Sequence, residues 1–342
     1  MRSATSKCKP AKKSSRTKSK NFPTNREMST PNKLVVGTRG SALALVQAEM
    51  TEGLLRKAFP EAEIVRKVIT TTGDRRTDVS LAEVAKVEGV FDKGVFIKEL
   101  EIALENGEID IAVHSLKDVP TVLEDQFEIV SVLERAPVAD LLITKNAGGL
   151  EALPQGAKVA SSSCRRQKML KWLRPDIEMV DIRGNVPTRL RKLAENPEID
   201  GIILAEAGLV RLGYNATGEM STEAGSVFGC AVDPEQFLPA AGQGAVGLEV
   251  RKGDECSANF AKAINHAPTM TRITAEREFL RLLNGGCHTP VGVSTQFFGD
   301  KLLMEGIVFP EGEAIGDPMQ AEVSGSVNEP LKVAQTLFKS LS

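Results

Sequence analysis

From Leu34 to Arg211 the chain repeats one pattern: a short apolar run, a polar turn, then a stretch with apolar residues every three or four positions. Strand–turn–helix repeats of this kind build α/β layers, in which the turns after parallel strands share one edge of the sheet. Leu34-Val35-Val36 leads into Gly37-Thr38-Arg39-Gly40-Ser41. The helix behind it should bury one stripe, Leu43, Val46, Met50, Leu54 and Ala58, with Ser41 as its N-cap. Glu63 to Thr70 reads as a second strand, with Ile64, Val68 and Ile69 as its apolar members, and runs out into a polar segment containing Arg75 and Arg76. Gly89 and Gly94 flank Lys93 ahead of a helix from Val95 to Glu105. Its expected inward residues are Phe96, Leu100 and Leu104.

The run from Asp110 to Pro120 is the centre of this pattern. Ile109, Ile111 and Val113 with Ala112 read as a strand covered on both faces, and Pro120 blocks its continuation. Ser115, Lys117 and Asp118 are thereby presented at the carboxyl end of a strand, where α/β sheets hold their ligands. Taken locally, the Asp118 and Lys117 pair is open to two readings, an acid/base position or a surface ion pair.

Beyond Phe127 the same grammar continues. Ile129 to Leu133 and Leu141 to Thr144 read as strands, and Val159-Ala160 leads through Ser161-Ser162-Ser163 to Arg165 and Arg166 at a helix start. Ile177 to Ile182 is followed by Arg183-Gly184-Asn185 and a helix carrying Arg189, and Ile202 to Ala205 precedes Arg211. Arg39, Arg165, Arg166, Arg183 and Arg189 therefore all fall at or near strand-to-helix turns, with Arg75 and Arg76 as candidates for the same edge. Guanidiniums gathered there repel one another unless anions lie between them, and arginine pairs with carboxylates through two parallel bonds. Solvated helix-start arginines are the competing reading, which the helix dipole disfavours.

The anion is not a nucleotide on these residues. No Walker A loop and no strand-linked GxGxxG occurs, and Gly242-Gln243-Gly244-Ala245 follows Pro239 rather than a strand. Aromatic residues make up only 4% of the chain, too few to interleave with bases. A net charge of -2 gives no global pull toward nucleic acid or a membrane surface. A small molecule with several carboxylates fits better.

Gly213 to Pro239 is weakly periodic and reads as a connection or local insertion. Val246 to Val250 returns to strand character. A helix from Met270 to Leu283 then leads to Asn284-Gly285-Gly286-Cys287-His288. Two alternating runs joined at Gly299-Asp300, a further strand at Val323 to Val327 and a helix from Leu331 describe a small α+β unit. Cys287 sits behind two glycines in a loop, so a covalent attachment point and a small buried hydrophobe are both open. The five cysteines lack metal-ligand spacing, and so sparse a set suits a reducing compartment. Residues 1–32 are basic, Ser-rich and almost free of acids, which predicts disorder. They are readable as a transit peptide, as a tail, or as sequence upstream of a start at Met28.

Gly37 to Ser41, Asp110 to Pro120, Ser161 to Gln167, Arg183-Gly184-Asn185, Gly242 to Ala245 and Gly285-Gly286-Cys287 occur together and in order. Together they resemble the porphobilinogen deaminase, or hydroxymethylbilane synthase, family of tetrapyrrole biosynthesis, over roughly Lys33 to Leu341. Each segment is weak alone; the ordered set is specific. The stretch before Lys93 and the Gly213 to Pro239 connection look longer than the family pattern, the second as surface decoration.

The resemblance implies two periplasmic-binding-like α/β domains around a cleft and a small α+β C-terminal domain with a three-stranded antiparallel sheet. The implied bounds are 33–135 with 243–262, then 136–238, then 265–342. It implies a transferase that condenses four porphobilinogen molecules head to tail on a dipyrromethane primer, with loss of ammonia, and releases hydroxymethylbilane. Cys287 matches the residue that holds this cofactor through a thioether, and Asp118 the catalytic aspartate. Ser115, Lys117, Asp118, Ser163, Arg165, Arg166 and Arg183 match cofactor-binding positions; Arg39, Ser41, Lys93, Arg183, Arg189 and Arg211 match substrate-binding ones. No metal is implied. A monomer is expected, with porphobilinogen as its partner and neither nucleic acid nor membrane. The expected location is the cytoplasm, or a plastid if the leader is a transit peptide. A two-lobed anion sensor, or another polycarboxylate enzyme with a covalent cysteine, would use the same cleft but carry no bound pyrroles.

Overall fold

The computed structural model describes residues 33–71, 94–285, 289–310, 312 and 316–341. The expectations for the 1–32 leader, for Arg75, Arg76 and Lys93, and for Cys287 and His288 lie outside the described residues. Within them the chain first lays down β1 (Lys33–Arg39), α1 (Ala42–Ala58), β2 (Glu63–Ile69), α2 (Gly94–Glu105), β3 (Ile111–Ser115) and β4 (Phe127–Val132). β1 pairs in parallel with β2 and with β3, which requires crossover connections, here through helices.

The chain then crosses to a second sheet. Its elements are β5 (Asp140–Thr144), β6 (Lys158–Ala160), α3 (Cys164–Leu173), β7 (Glu178–Val180), α4 (Val186–Glu195), β8 (Gly201–Ala205), α5 (Glu206–Arg211), β9 (Glu219–Thr222) and β10 (Gly225–Ala231). The strand order is β7-β6-β8-β5-β10-β9, with β6 parallel to β7 and β8. After a second crossing, β11 (Val246–Arg251) returns to the first sheet and inserts antiparallel between β3 and β4, giving the order β2-β1-β3-β11-β4. α6 (Glu255–Lys262) then packs on β4 and β11.

The remaining chain forms α7 (Ala267–Leu282), the antiparallel sheet β12 (Val291–Phe298), β13 (Lys301–Val308) and β14 (Met319–Ser326), and α8 (Pro330–Ser340). Gly299, at φ 61°, makes the β12–β13 turn where the sequence predicts it. Phe279, Val293, Leu302, Met304 and Leu337 close the core between this sheet and its two helices. The expected fold class is therefore present: two mixed α/β sheets and a small three-stranded α+β unit. No helix among the described residues is long and apolar enough to cross a membrane.

Two expectations are corrected. α1 does not bury the predicted stripe: Met50 and Leu54 are 39% and 41% exposed, while Ala44, Gln47, Ala48, Thr51, Glu52 and Leu55 face inward. Small residues at Ala44 and Ala48 let the helix lie close to the sheet, and Gln47 reaches a polar partner there, so packing overrides the Leu/Met periodicity. The 213–239 stretch is also no surface decoration. β10 pairs with β5 along the second sheet, and Met220, Val227, Phe237 and Leu238 are buried.

Candidate active site

β3 is buried over Ile111 to His114 and ends at Ser115, whose hydroxyl lies 2.9 Å from Gln47 Nε2 on α1. A single 3-10 turn, Leu116–Asp118, then carries Lys117 and Asp118 past the end of the sheet. The turn is held on three sides. Leu116 is buried, and its N–H donates to Ala245 O at 3.0 Å. Gly242, at φ 75°, lies so close that a Cβ there would stand 3.2 Å from Lys117 N. Arg277 on α7 donates to Val119 O at 3.0 Å and to Pro120 O at 2.6 Å. Arg39 ends β1, and Ser41 lies in the turn beyond it, where its Oγ caps α1 by accepting from Ala44 N.

The second sheet offers the opposing edge. Ser163 occupies the N-cap position of α3, and the next turn buries Arg165 and Arg166 to 4% and 6% exposure. Both guanidiniums converge on the Asp140 carboxylate at the start of β5. Arg165 Nη2 donates to Oδ2 at 2.6 Å, and Arg166 donates to Oδ1 from Nη2 at 2.6 Å and Nε at 3.0 Å. Leu238 O and Ile203 O accept one further bond from each. Burial alone would raise the Asp140 carboxyl, but Arg165 and Arg166 hold it far below the ordinary carboxylate range.

Arg183 and Arg189 flank the start of α4, which Asn185 caps by accepting from Thr188 N at 3.0 Å. Arg189 Nε donates to Gly184 O at 2.7 Å. Burial first, then Arg166 and Arg183, push Arg189 down to about 10, with Asp118 pulling the other way. Lys117 is pushed down to about 8 by burial and by Arg166, against the pull of Asp118 and Asp140. Asp118 thus interacts electrostatically with Lys117 on its own turn and with Arg189 on the second sheet. Arg211 closes the group from α5: Nη2 donates to Gly244 O at 2.7 Å, and burial pushes it down to about 10.

The cations named here outnumber the carboxylates that face them. Arg165 Nε and Arg211 Nε are also buried with no hydrogen bond among the described residues. Such a surplus of cations favours a bound anion. Ser115, Lys117, Asp118, Ser163, Arg165, Arg166, Arg183, Arg189 and Arg211 thus come to two facing edges, with Arg39 and Ser41 alongside; Lys93 and Cys287 are outside the described residues.

Asp140 is absent from the candidate set, although it supplies part of the anion demand that the clustered arginines imply. Its only sequence signal is an acid opening an apolar strand, Asp140-Leu141-Leu142-Ile143. Arg135 and Glu276 are likewise missed. They form a bidentate pair at 2.6 and 2.8 Å, and Glu276 also accepts from Gly242 N at 2.9 Å and Thr295 Oγ1 at 2.5 Å. This pair ties α7 and β12 to both crossings beneath the Asp118 turn.

A family model described as the porphobilinogen deaminase, dipyrromethane cofactor binding domain matches residues 34–259, and one for the C-terminal domain of the same family matches 270–342. A porphobilinogen deaminase of Desulforudis audaxviator is 42% identical over 89% of this chain and 92% of its own length. One of Nitrosomonas europaea is 39% identical over 92% and 96%. Among solved structures, the methionine-binding protein MetQ is similar over 68% of this chain and 90% of its own, at 14% identity and a TM-score of 0.39, too distant to carry an argument. On the family models and these relatives, the chain belongs to the porphobilinogen deaminase family.

Proposed function

We propose that this chain is a transferase, a hydroxymethylbilane synthase, that joins four porphobilinogen molecules head to tail on a dipyrromethane bound through Cys287. Ammonia leaves at each coupling, and hydroxymethylbilane is released by water. One observation carries the reading: Asp118 follows the carboxyl end of β3 and interacts with Lys117 beside it and with Arg189 of the second sheet, in a group where cations outnumber carboxylates. A pyrrole substrate bearing an acetate and a propionate needs such a surplus of cations, and each added unit brings two more carboxylates.

The donor set suits the cofactor. Lys117, Ser115, Ser163, Arg165, Arg166 and Arg183 would hold its carboxylates, with Arg165 Nε as a buried donor still lacking an acceptor among the described residues. When bound, the dipyrromethane supplies the free α-carbon to which the incoming unit is joined. Arg39, Ser41, Lys93, Arg183, Arg189 and Arg211 take the incoming substrate. Asp118 protonates the leaving amine, and its carboxylate then faces the positive charge on the pyrrole nitrogen. Arg277, Leu116 and Gly242 fix the turn that aims it. In this reading the domains are 33–135 with 243–262, 136–238 and 265–342. The working form is a monomer in the cytoplasm, or in a plastid if the leader directs it there.

Asp118→Asn keeps the side chain's size and removes its proton chemistry. It should lower kcat by about 100-fold or more, the usual size of a general acid/base contribution. Near-normal turnover of porphobilinogen in a steady-state assay contradicts the assignment.

A further inference from the structure

Gln243 lies fully buried in the second crossing, between two glycines of positive φ, Gly242 at 75° and Gly244 at 82°. A Cβ on Gly244 would stand 2.5 Å from Ala136 O, so only glycine lets this segment press against the first crossing. The Gln243 backbone O accepts from Arg135 Nε at 2.8 Å, which anchors the peptide. Its amide then spans three parts of the chain. Nε2 donates to Val138 O at 2.7 Å and to Asp140 Oδ1 at 3.1 Å. A carbonyl and a paired carboxylate only accept, so the amide orientation is fixed and Oε1 faces the other way. There it accepts from Lys117 Nζ at 3.4 Å.

We propose that Gln243 is a positioning residue that aims the Lys117 ammonium into the cleft beside Asp118, coupling that ammonium to both chain crossings. The inference rests on the reading of Lys117 as a carboxylate-binding cation. An ammonium has three donors, and a 3.4 Å contact is long for a charged one, so Gln243 guides the group while leaving donors for a ligand. Neutrality is part of the device. A glutamate here would face Asp140 and the Val138 carbonyl, and would bind Lys117 in a closed ion pair. A methionine would fill the space and leave the ammonium free to swing toward Asp140.

The test uses the full chain, loaded by incubation with porphobilinogen, as wild type, Gln243→Met, Lys117→Met and the double variant. Gln243→Met should raise KM about ten-fold with kcat changed less than about three-fold, and should cost less than about two-fold in the Lys117→Met background, since coupled residues are not additive. Losses that multiply independently overturn the proposal. A second readout does not depend on turnover: the titration of Lys117 followed by NMR of carbon-13 dimethylated lysines, assigned with Lys117→Met. A midpoint displaced by about half a unit or more in Gln243→Met supports positioning, because one unit reflects about 1.4 kcal/mol of differential interaction. An unmoved midpoint overturns it. A displaced midpoint with unchanged KM upholds the Gln243 contact and overturns the carboxylate-binding role of Lys117.

Discussion

Asp140 and Arg165 lie in contact at 2.6 Å in the interior of the second sheet, with no measurable exposure of the carboxylate side chain. Arg166 shares the same carboxylate from its other oxygen. Removing one partner of a buried pair leaves uncompensated charge, which typically costs about 3–5 kcal/mol. Asp140→Asn should therefore unfold at lower denaturant concentration than the wild type and fail to accumulate the covalent adduct. Because the folded-state carboxyl titrates far below its unfolded value, its contribution is complete above about pH 4 and fades as pH falls further. The stability gap between wild type and Asp140→Asn should be constant from pH 5 to 8 and narrow below pH 4. A gap independent of pH in acid contradicts this account of the pair.

Arg277 connects the unit that bears Cys287 to the Asp118 turn, through Val119 O and Pro120 O. Burial pushes this guanidinium down to about 10, so its desolvation is offset mainly by those two carbonyls and by Glu249. Arg277→Met leaves the carbonyls without their donor, a loss of about 1–3 kcal/mol for each group that stays dry. The expected result is a fall in kcat larger than any change in KM, with partial recovery in Arg277→Lys. Unchanged kcat with lowered stability alone would reduce Arg277 to a structural brace.

Glu101 on α2 is only 9% exposed and is pushed up to about 7 by burial, then by Glu249 and Glu124. A carboxyl raised in the folded state holds its proton where the unfolded chain has lost it. It therefore opposes folding increasingly as pH rises from about 4 to 7. Glu101→Gln should stabilise the protein by an amount on the order of 2 kcal/mol at pH 8 and change little at pH 4. Thermal melts at both pH values test this, and a greater gain at pH 4 contradicts it.

The parallel strands and their polar turns were legible because each is a compact apolar run followed by hydroxyl or cationic residues. The places of Asp118 and the arginines were readable for the same reason: local grammar puts each at the strand-end edge of its own sheet. What joins those edges was not. Asp140 finds Gln243 across 103 positions, and Arg135 finds Glu276 across 141, so no spacing rule connects them. β10 escaped notice because Gly225-Ser226-Val227-Phe228-Gly229-Cys230-Ala231 has little apolar alternation, and its strand character comes from pairing with β5. In α1 the large apolar residues misled, since Ala44 and Ala48 give the closer approach to the sheet.

The most direct test is the intact mass of the full chain under denaturing conditions, before and after brief exposure to porphobilinogen. The account predicts an adduct of two linked pyrroles that is lost in Cys287→Ala and that grows by single-pyrrole steps with substrate. An unmodified mass after incubation with porphobilinogen, with no ladder of additions, would contradict it.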